Sequence, residues 1–446
     1  MQSPTRRPVP AILRPLIRFL ETEVSGGIIL LACAITALVI ANSAWGKAWY
    51  GFWHTSFVIG YGDYKLEHPL EWWVNDGLMT LFFFVVGLEI KRELVKGELR
   101  DPRKAALPAA AALGGMIIPA AIYLLLQRGT EGERGWGIPM ATDIAFVVGV
   151  LALLGKRVPV GLKILLLSLA IVDDLGAVLV IAVAYTAKTS LIALGLAGVG
   201  LLVVLAARFA GIRAFWVYVV LGAIVWLEMV LSGVHPTVAG VILGLMTPPV
   251  HMVGKASLIA LMDHVLGRLR EKPETDDMDE YSTEMMAVVE AGQETLSPLD
   301  RLEQALHPWV AFAIMPIFAL ANAGVVVKPE LLTAPVSTAV ALGLVLGKPI
   351  GIFLFAWAAV KLGIARLPVG VNLPVLLGAG CLGGIGFTMS LFITGLAFEG
   401  DKVLTDTAKI GTLTGSVISA LLGMALLWVY MPKLYTPPAE PEKAAG

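Results

Sequence analysis

A chain of 446 residues, 57% of them hydrophobic and only 15% charged, with a mean hydropathy of +0.81, departs far from the soluble average of roughly a quarter charged. That balance excludes an ordinary soluble domain, and a net charge of -1 leaves no basic footprint for nucleic acid. Cys33 and Cys381 both fall inside apolar runs and read as packing residues.

Runs of about 20 apolar residues suffice to cross a hydrocarbon core of roughly 30 Å. Twelve are predicted, near residues 24–43, 75–90, 105–126, 136–154, 162–185, 191–207, 214–231, 235–248, 308–325, 336–358, 373–397 and 409–430. The segment before residue 24 is cytoplasmic in this reading, and its stretch 10–21, PAILRPLIRFLE, mixes Arg with Leu, Ile and Phe as a short interfacial helix does. Eight spans fill residues 24–248, a cytoplasmic loop runs over 249–307, four spans fill 308–430, and a Pro- and Ala-rich tail follows from 431. Within that loop, residues 271–300 hold ten Asp or Glu against one Lys, which reads as a solvated insert. With the N-terminus inside, the short loops 91–104, 155–163, 208–213 and 360–367 carry the Lys and Arg excess on the inner side, so both termini are expected in the cytoplasm.

Residues 46–73 form an outer loop containing VIGYGD at 58–63, one residue away from the signature of a potassium-channel filter. Val58 stands where the filter threonine belongs, and Lys65, Glu67, His68 and Glu71 crowd the glycines. The GYGD letters also match an intramembrane aspartyl protease pattern, but Asp63 lies in a polar loop. Two β-rich runs around a Gly-containing turn fit a hairpin better than either.

Four ionisable residues lie well inside apolar segments: Asp143 in IPMATDIAF, Asp173 and Asp174 in LAIVDDLGAV, and Lys348 in LVLGKPIGI. Each costs roughly 2.5 to 3.5 kcal/mol at the bilayer centre on insertion scales. A buried ion pair stapling helices accounts for one Asp and the Lys and leaves two carboxylates unexplained. No catalytic nucleophile, histidine cluster or nucleotide loop accompanies them, so the chain does not read as an enzyme and no organic cofactor is implied. Hard cations such as sodium take oxygen ligands, and Asp173, Asp174 and a hydroxyl such as Thr142, with freed backbone carbonyls, would make such a site. Burial favours the protonated form of a carboxyl group, so protons and sodium compete for the same oxygens, and competition for one site is exchange.

Freed carbonyls require interrupted helices. The fourth span opens with GWGIPMATD, carrying Gly137 and Pro139 beside Thr142 and Asp143, and the eleventh carries GAGCLGGIGFT. Such backbone is tolerated at membrane depth only where protein or water satisfies it. Spans 3–5 and 10–12 start from opposite sides, as an inverted repeat requires. The expected fold is therefore an all-α polytopic membrane protein of twelve helices with inverted repeats, two broken helices crossing at the midplane and a small outer β-hairpin.

The stretches WVNDGLMTLFFFVVGLEIKREL, ATDIAF, LAIVDDLGA, SGVHPTVAGV, LHPWVAFAIMPIFALANAGV, GKPIGI and GGIGFTMSLFI, in this order, resemble the NhaA-type bacterial sodium/proton antiporters, a family built on inverted repeats and broken helices. The resemblance runs from about residue 25 to about residue 430. It implies Asp174 as principal sodium ligand and Asp173 paired with Lys348 or sharing the proton load. It implies Asp143 and Thr142 at the crossing, with the Asp facing the positive helix ends and the Lys the negative ones. It further implies electrogenic exchange with protons in excess, acceptance of lithium, activation at alkaline pH, a bacterial inner membrane, and a homodimer formed through the outer hairpin. Glu89, Glu93 and Asp76 resemble the family's cytoplasmic-funnel acids linked to pH response, and His235 in SGVHPT and Glu303 ahead of LHPWV belong with that response. One departure stands out: Asp300 precedes Arg301, Leu302 and Glu303 where the family commonly has a basic residue, which bears on the pH set point. A sodium-coupled symporter of a small organic anion is the alternative within transport, and a cation channel the alternative outside it.

Overall fold

The computed structural model describes residues 23–61, 64–186, 189–212, 214–249, 259–260, 262–263, 267 and 297–431. The expected interfacial helix over 10–21, the acidic insert up to residue 296, the tail from 432 and the Gly62-Asp63 turn lie outside them.

The described chain is mostly helical with one small two-stranded sheet. Helix lies over each of the twelve predicted segments, and one further helix, α2, lies between the first two; the helices are α1 (Glu23–Ala41), α2 (Gly46–Trp53), α3 (Met79–Val95), α4 (Pro102–Gln127), a 3-10 segment (Glu131–Met140), α5 (Ile144–Leu153), α6 (Val160–Ala184), α7 (Leu191–Phe209), α8 (Phe215–Ser232), α9 (Thr237–Met246), α10 (Pro298–Trp309), α11 (Met315–Asn322), α12 (Pro335–Leu342), α13 (Lys348–Lys361), α14 (Leu373–Gly383), α15 (Phe387–Ala397) and α16 (Lys402–Tyr430). Among the described residues, six helices are long and apolar enough to cross a membrane, or up to nine if each sharply bent pair is one span.

The 46–73 loop is more ordered than its sequence suggested. It starts with α2, which turns 118° from α1, and continues as the expected hairpin, β1 (Ser56–Tyr61) against β2 (Tyr64–Pro69), with Phe57 opposite His68 and Ile59 opposite Leu66. The GYG letters thus begin in an antiparallel strand, and Phe57, Val58 and Ile59 are exposed.

Contacts divide the chain into two units. The smaller spans residues 80–100 and 188–310. There α7 and α8 pair around Ala197, Val225, Met229 and Ala239, and α3 meets α9 so closely that a Cβ on Gly240 would lie 2.3 Å from the Thr80 carbonyl oxygen, the small-residue packing membrane helices favour.

The larger unit holds residues 1–79, 101–187 and 311–446. In it α4 packs along α13, α12 and α14 pack on α16, and the 3-10 segment rests on α4 and α15. Prolines distort this unit in definite places. Pro349 offers no N–H to Val345 and Pro316 none to Phe312, and π-helical turns at Gly343–Gly347 and Val310–Ile314 take up the slack. Gly343 and Gly347 of the first turn seat Pro139 and Pro119, each of which would sit 2.6 Å from an added Cβ.

The tightest contact between α4 and α13 is between Gly114 and Gly351, where a Cβ on Gly351 would meet the Gly114 carbonyl oxygen at 2.0 Å. Gly351→Val is expected to lower stability by about 1–3 kcal/mol, the usual cost of overpacking. Gly395→Ala, at a helical glycine whose Cβ would meet nothing within 4 Å, is expected to leave stability unchanged or slightly higher. Thermal melting in detergent checks both.

Candidate functional site

The site lies in the larger unit, where two helices are interrupted. The 3-10 segment and α5 meet at a 47° bend over residues 141–143, and α14 and α15 at a 46° bend over 384–386. The predicted glycine- and proline-rich stretches are the ones that break.

Freed backbone groups find partners on neighbouring elements. Tyr123 Oη donates to the Gly132 carbonyl at 2.7 Å, Tyr185 Oη donates to the Arg134 carbonyl at 2.9 Å and accepts from Gly137 N at 3.0 Å, and Ser390 Oγ donates to the Ile138 carbonyl at 2.7 Å. The 3-10 segment is thus held by side chains of neighbouring elements, as irregular backbone inside a membrane bundle can be.

The two breaks are also tied to each other. Asp143 N donates to the Ile385 carbonyl at 2.6 Å and Thr142 Oγ1 to the Gly383 carbonyl at 2.8 Å. Asp143 is the N-cap of α5, its Oδ1 accepting from Phe146 N at 3.1 Å, while its Oδ2 accepts from Thr388 N at 3.1 Å and from the Thr388 hydroxyl. One carboxylate therefore caps two helices that start at the crossing, where their positive ends favour negative charge.

Lys348 is fully buried and Asp173 is 1% exposed. Lys348 Nζ donates to Asp173 Oδ2 at 2.6 Å and to Thr142 Oγ1 at 2.8 Å. Through Thr142 it reaches the Gly383 carbonyl at the negative end of α14. Asp173 Oδ1 is buried without a hydrogen-bond partner, and Asp174, next along α6, is 6% exposed. Thr142, expected as an ion ligand, has its proton on Gly383 and a lone pair on Lys348. An ion reaching it must share it with the ammonium or displace it. The arrangement can hold a small cation on carboxylate oxygens, or a proton, at a point where a lysine already competes for the same oxygens. No group of three or more His, Cys, Asp or Glu suited to a resident metal occurs among the described residues.

The other predicted residues lie apart from this centre. In the smaller unit, Glu303 pairs with Arg92 and is 8% exposed, Glu93 lies 3.8 Å from Arg92 and accepts from Glu98 N, and Glu89 is half-buried in the same helix. Asp300 accepts from Lys96 Nζ at 2.6 Å and from Ser297 Oγ at 2.6 Å. The acidic departure at 300 thus has a cationic answer at 96. His235 Nδ1 lies 2.8 Å from Thr237 Oγ1, at the start of α9. Asp76 stands in the π-helical turn Trp73–Leu78, a few residues after β2. Thr388, whose amide and hydroxyl both reach Asp143, was missed by sequence reasoning; its signal was its position just after the glycine run GGIGF.

A set of buried ionisable groups at a crossing of interrupted helices, inside a bundle of apolar spans, defines a multi-pass membrane protein with an ion-handling centre. The chain belongs to the Na+/H+ antiporter 1 family, whose model matches residues 17–427. It is 50% identical over 433 residues to the Na(+)/H(+) antiporter NhaA of Rhodopirellula baltica, covering 96% of each chain. It is 48% identical to the NhaA 2 of Sorangium cellulosum, over 95% of this chain and 91% of that protein, and 48% identical to the NhaA of Rhizobium meliloti, over 96% and 97%. The family is one of transporters.

Lys348→Ala leaves Asp173 buried without its cation. A loss of about 3–5 kcal/mol in stability is expected, the cost of breaking a buried pair from one side. Thermal melting in detergent checks it.

Proposed function

We propose that this chain exchanges sodium, or lithium, for protons across a bacterial inner membrane, and so sets intracellular pH and sodium. The observation that carries the reading is the buried pair of adjacent carboxylates, Asp173 and Asp174, with Lys348 held on one oxygen of Asp173 and the other oxygen unpartnered. In this reading Asp174 is the principal sodium ligand. Sodium draws Asp173 away from Lys348, and protons arriving on Asp174 and Lys348 restore the pair and expel the ion. A proton carried by the lysine in addition to the carboxylate's makes the exchange electrogenic, with protons in excess. Asp143 takes no ion; it holds the two helix ends together while the site faces either side. The ions are substrates, and no cofactor enters the scheme.

We further assign twelve membrane crossings with both termini cytoplasmic. Helix over all twelve predicted segments and the inner-side excess of Lys and Arg support this. Spans 3–5 and 10–12 form the inverted repeat, supported by one interrupted helix in the middle of each. The pH response is assigned to Glu89, Glu93 and Glu303 with their basic neighbours Arg92 and Lys96, and His235 and Asp76 act separately from that cluster. The exposed strand β1 supports a homodimer joined through the hairpin.

Adding sodium to acid-loaded everted vesicles is expected to discharge the pH gradient seen by a fluorescent dye, and Asp174→Asn to abolish the discharge. A wild-type response in that variant rejects Asp174 as the ligand. Deleting residues 56–69 is expected to convert a cross-linkable dimer to a monomer while vesicles still exchange; an unchanged cross-linking pattern removes the hairpin from the contact.

A further inference from the structure

The N-terminus of α15 faces the ion centre, yet its own N-cap residue, Gly386, has no side chain to cap it. A helix leaves its first amides without internal partners. Two acceptors from other elements take them here: Asp143 Oδ2 accepts from Thr388 N at 3.1 Å, and Ser416 Oγ accepts from Phe387 N at 3.1 Å. Ser416 lies on α16, a helix that supplies no residue to the centre described above. It is 5% exposed, and Thr412 and Ser419, one turn away on either side, are fully buried on the same face with hydroxyls that have no hydrogen-bond partner. A Cβ on Gly384, in the break itself, would lie 2.7 Å from Ser419 Oγ. The face of α16 that looks onto the interruption is thus polar, and at Ser416 it is bonded to it.

Resting on the exchange reading, we infer that Ser416 is a positioning residue for the ion centre, standing in for the cap that Gly386 lacks. Residues 383 to 388 are joined to Thr142 and Asp143 through the Gly383 and Ile385 carbonyls and through Thr388. Where this segment sits fixes where the Thr142 hydroxyl sits, and that hydroxyl takes one N–H of Lys348. Ser416 holds the segment from the far side. Without its oxygen, the Phe387 amide is buried with no acceptor. Among the described residues, Asp143 is then left as the only side chain from another element accepting an amide of the first turn of α15, and the Thr142–Lys348–Asp173 chain loses its register.

The test compares wild type, Ser416→Ala, Ser416→Cys and Thr414→Val in everted vesicles. Thr414 lies on the same helix, and its hydroxyl bonds only to the Ile410 and Gly411 carbonyls of that helix. Ser416→Ala is expected to raise the apparent KM for sodium on the order of tenfold, the size that loss of one buried hydrogen bond allows. The pH of half-maximal exchange moves upward with it, because protons compete with a more weakly held ion. Ser416→Cys falls between, sulfur being a weaker acceptor, and Thr414→Val matches wild type. A lowered melting temperature in Ser416→Ala with wild-type KM and pH profile means a structural role only and overturns the inference. If the Ala variant fails to accumulate, the Cys variant decides alone, wild-type values overturning the inference and a shift upholding it. Absence of sodium-driven proton movement in wild-type vesicles would instead reject the exchange reading itself.

Discussion

An ammonium group buried where no water reaches must be answered by negative charge within hydrogen-bond distance. Lys348, answered by Asp173 at 2.6 Å, sets that demand for the whole centre. Satisfying it draws α6 and α13 to one point and brings the interrupted helix at 141–143 into the same place through Thr142. The same rule applied to Asp143 needs positive ends rather than a cation, and the starts of α5 and α15 supply them. Two opposite charges, on Lys348 and Asp143, are thus neutralised by different means.

The interruptions that make this possible are stable because other helices complete them. Tyr123, Tyr185, Ser390 and Ser416 each reach from a packed helix to a backbone group that a regular helix would have satisfied itself. A broken span in a membrane is therefore a property of its neighbours as much as of its own glycines. The π-helical turns ahead of Pro316 and Pro349 follow the same logic: a missing amide is absorbed locally, and in the second case the turn ends at Lys348 and directs it into the centre.

Away from the centre, the acidic residue at 300 shows how a charge that departs from a family's habit can still be paired. Lys96 and the N-cap Ser297 both bond its carboxylate, and Glu303 one turn later meets Arg92. The C-terminal end of α3 is thereby tied to the start of α10 by ion pairs lying side by side. Such pairs respond to proton concentration and to salt, which suits the place assigned to the pH response.

Sequence alone marked the apolar segments over which helix lies, the glycine- and proline-bearing stretches at which two of them break, over 141–143 and 384–386, and Asp143, Asp173, Asp174 and Lys348 as ionisable residues inside them. Apolar length, glycine-rich runs and the cost of burying charge are all local and leave their mark residue by residue. It also disclosed the hairpin, from alternating β-rich runs about a glycine turn. It did not disclose α2, since a short aromatic helix has no periodicity long enough to read. Tertiary structure alone decided that Thr142 is engaged by Lys348 and Gly383, that Thr388 gives its amide and hydroxyl to Asp143, and that Asp143 and Ser416 cap a helix with no cap of its own. Each of these joins residues more than a turn apart in the chain, most of them on different helices. A hydroxyl's partner depends on which helix lies against it, and no pattern along one strand of sequence records that.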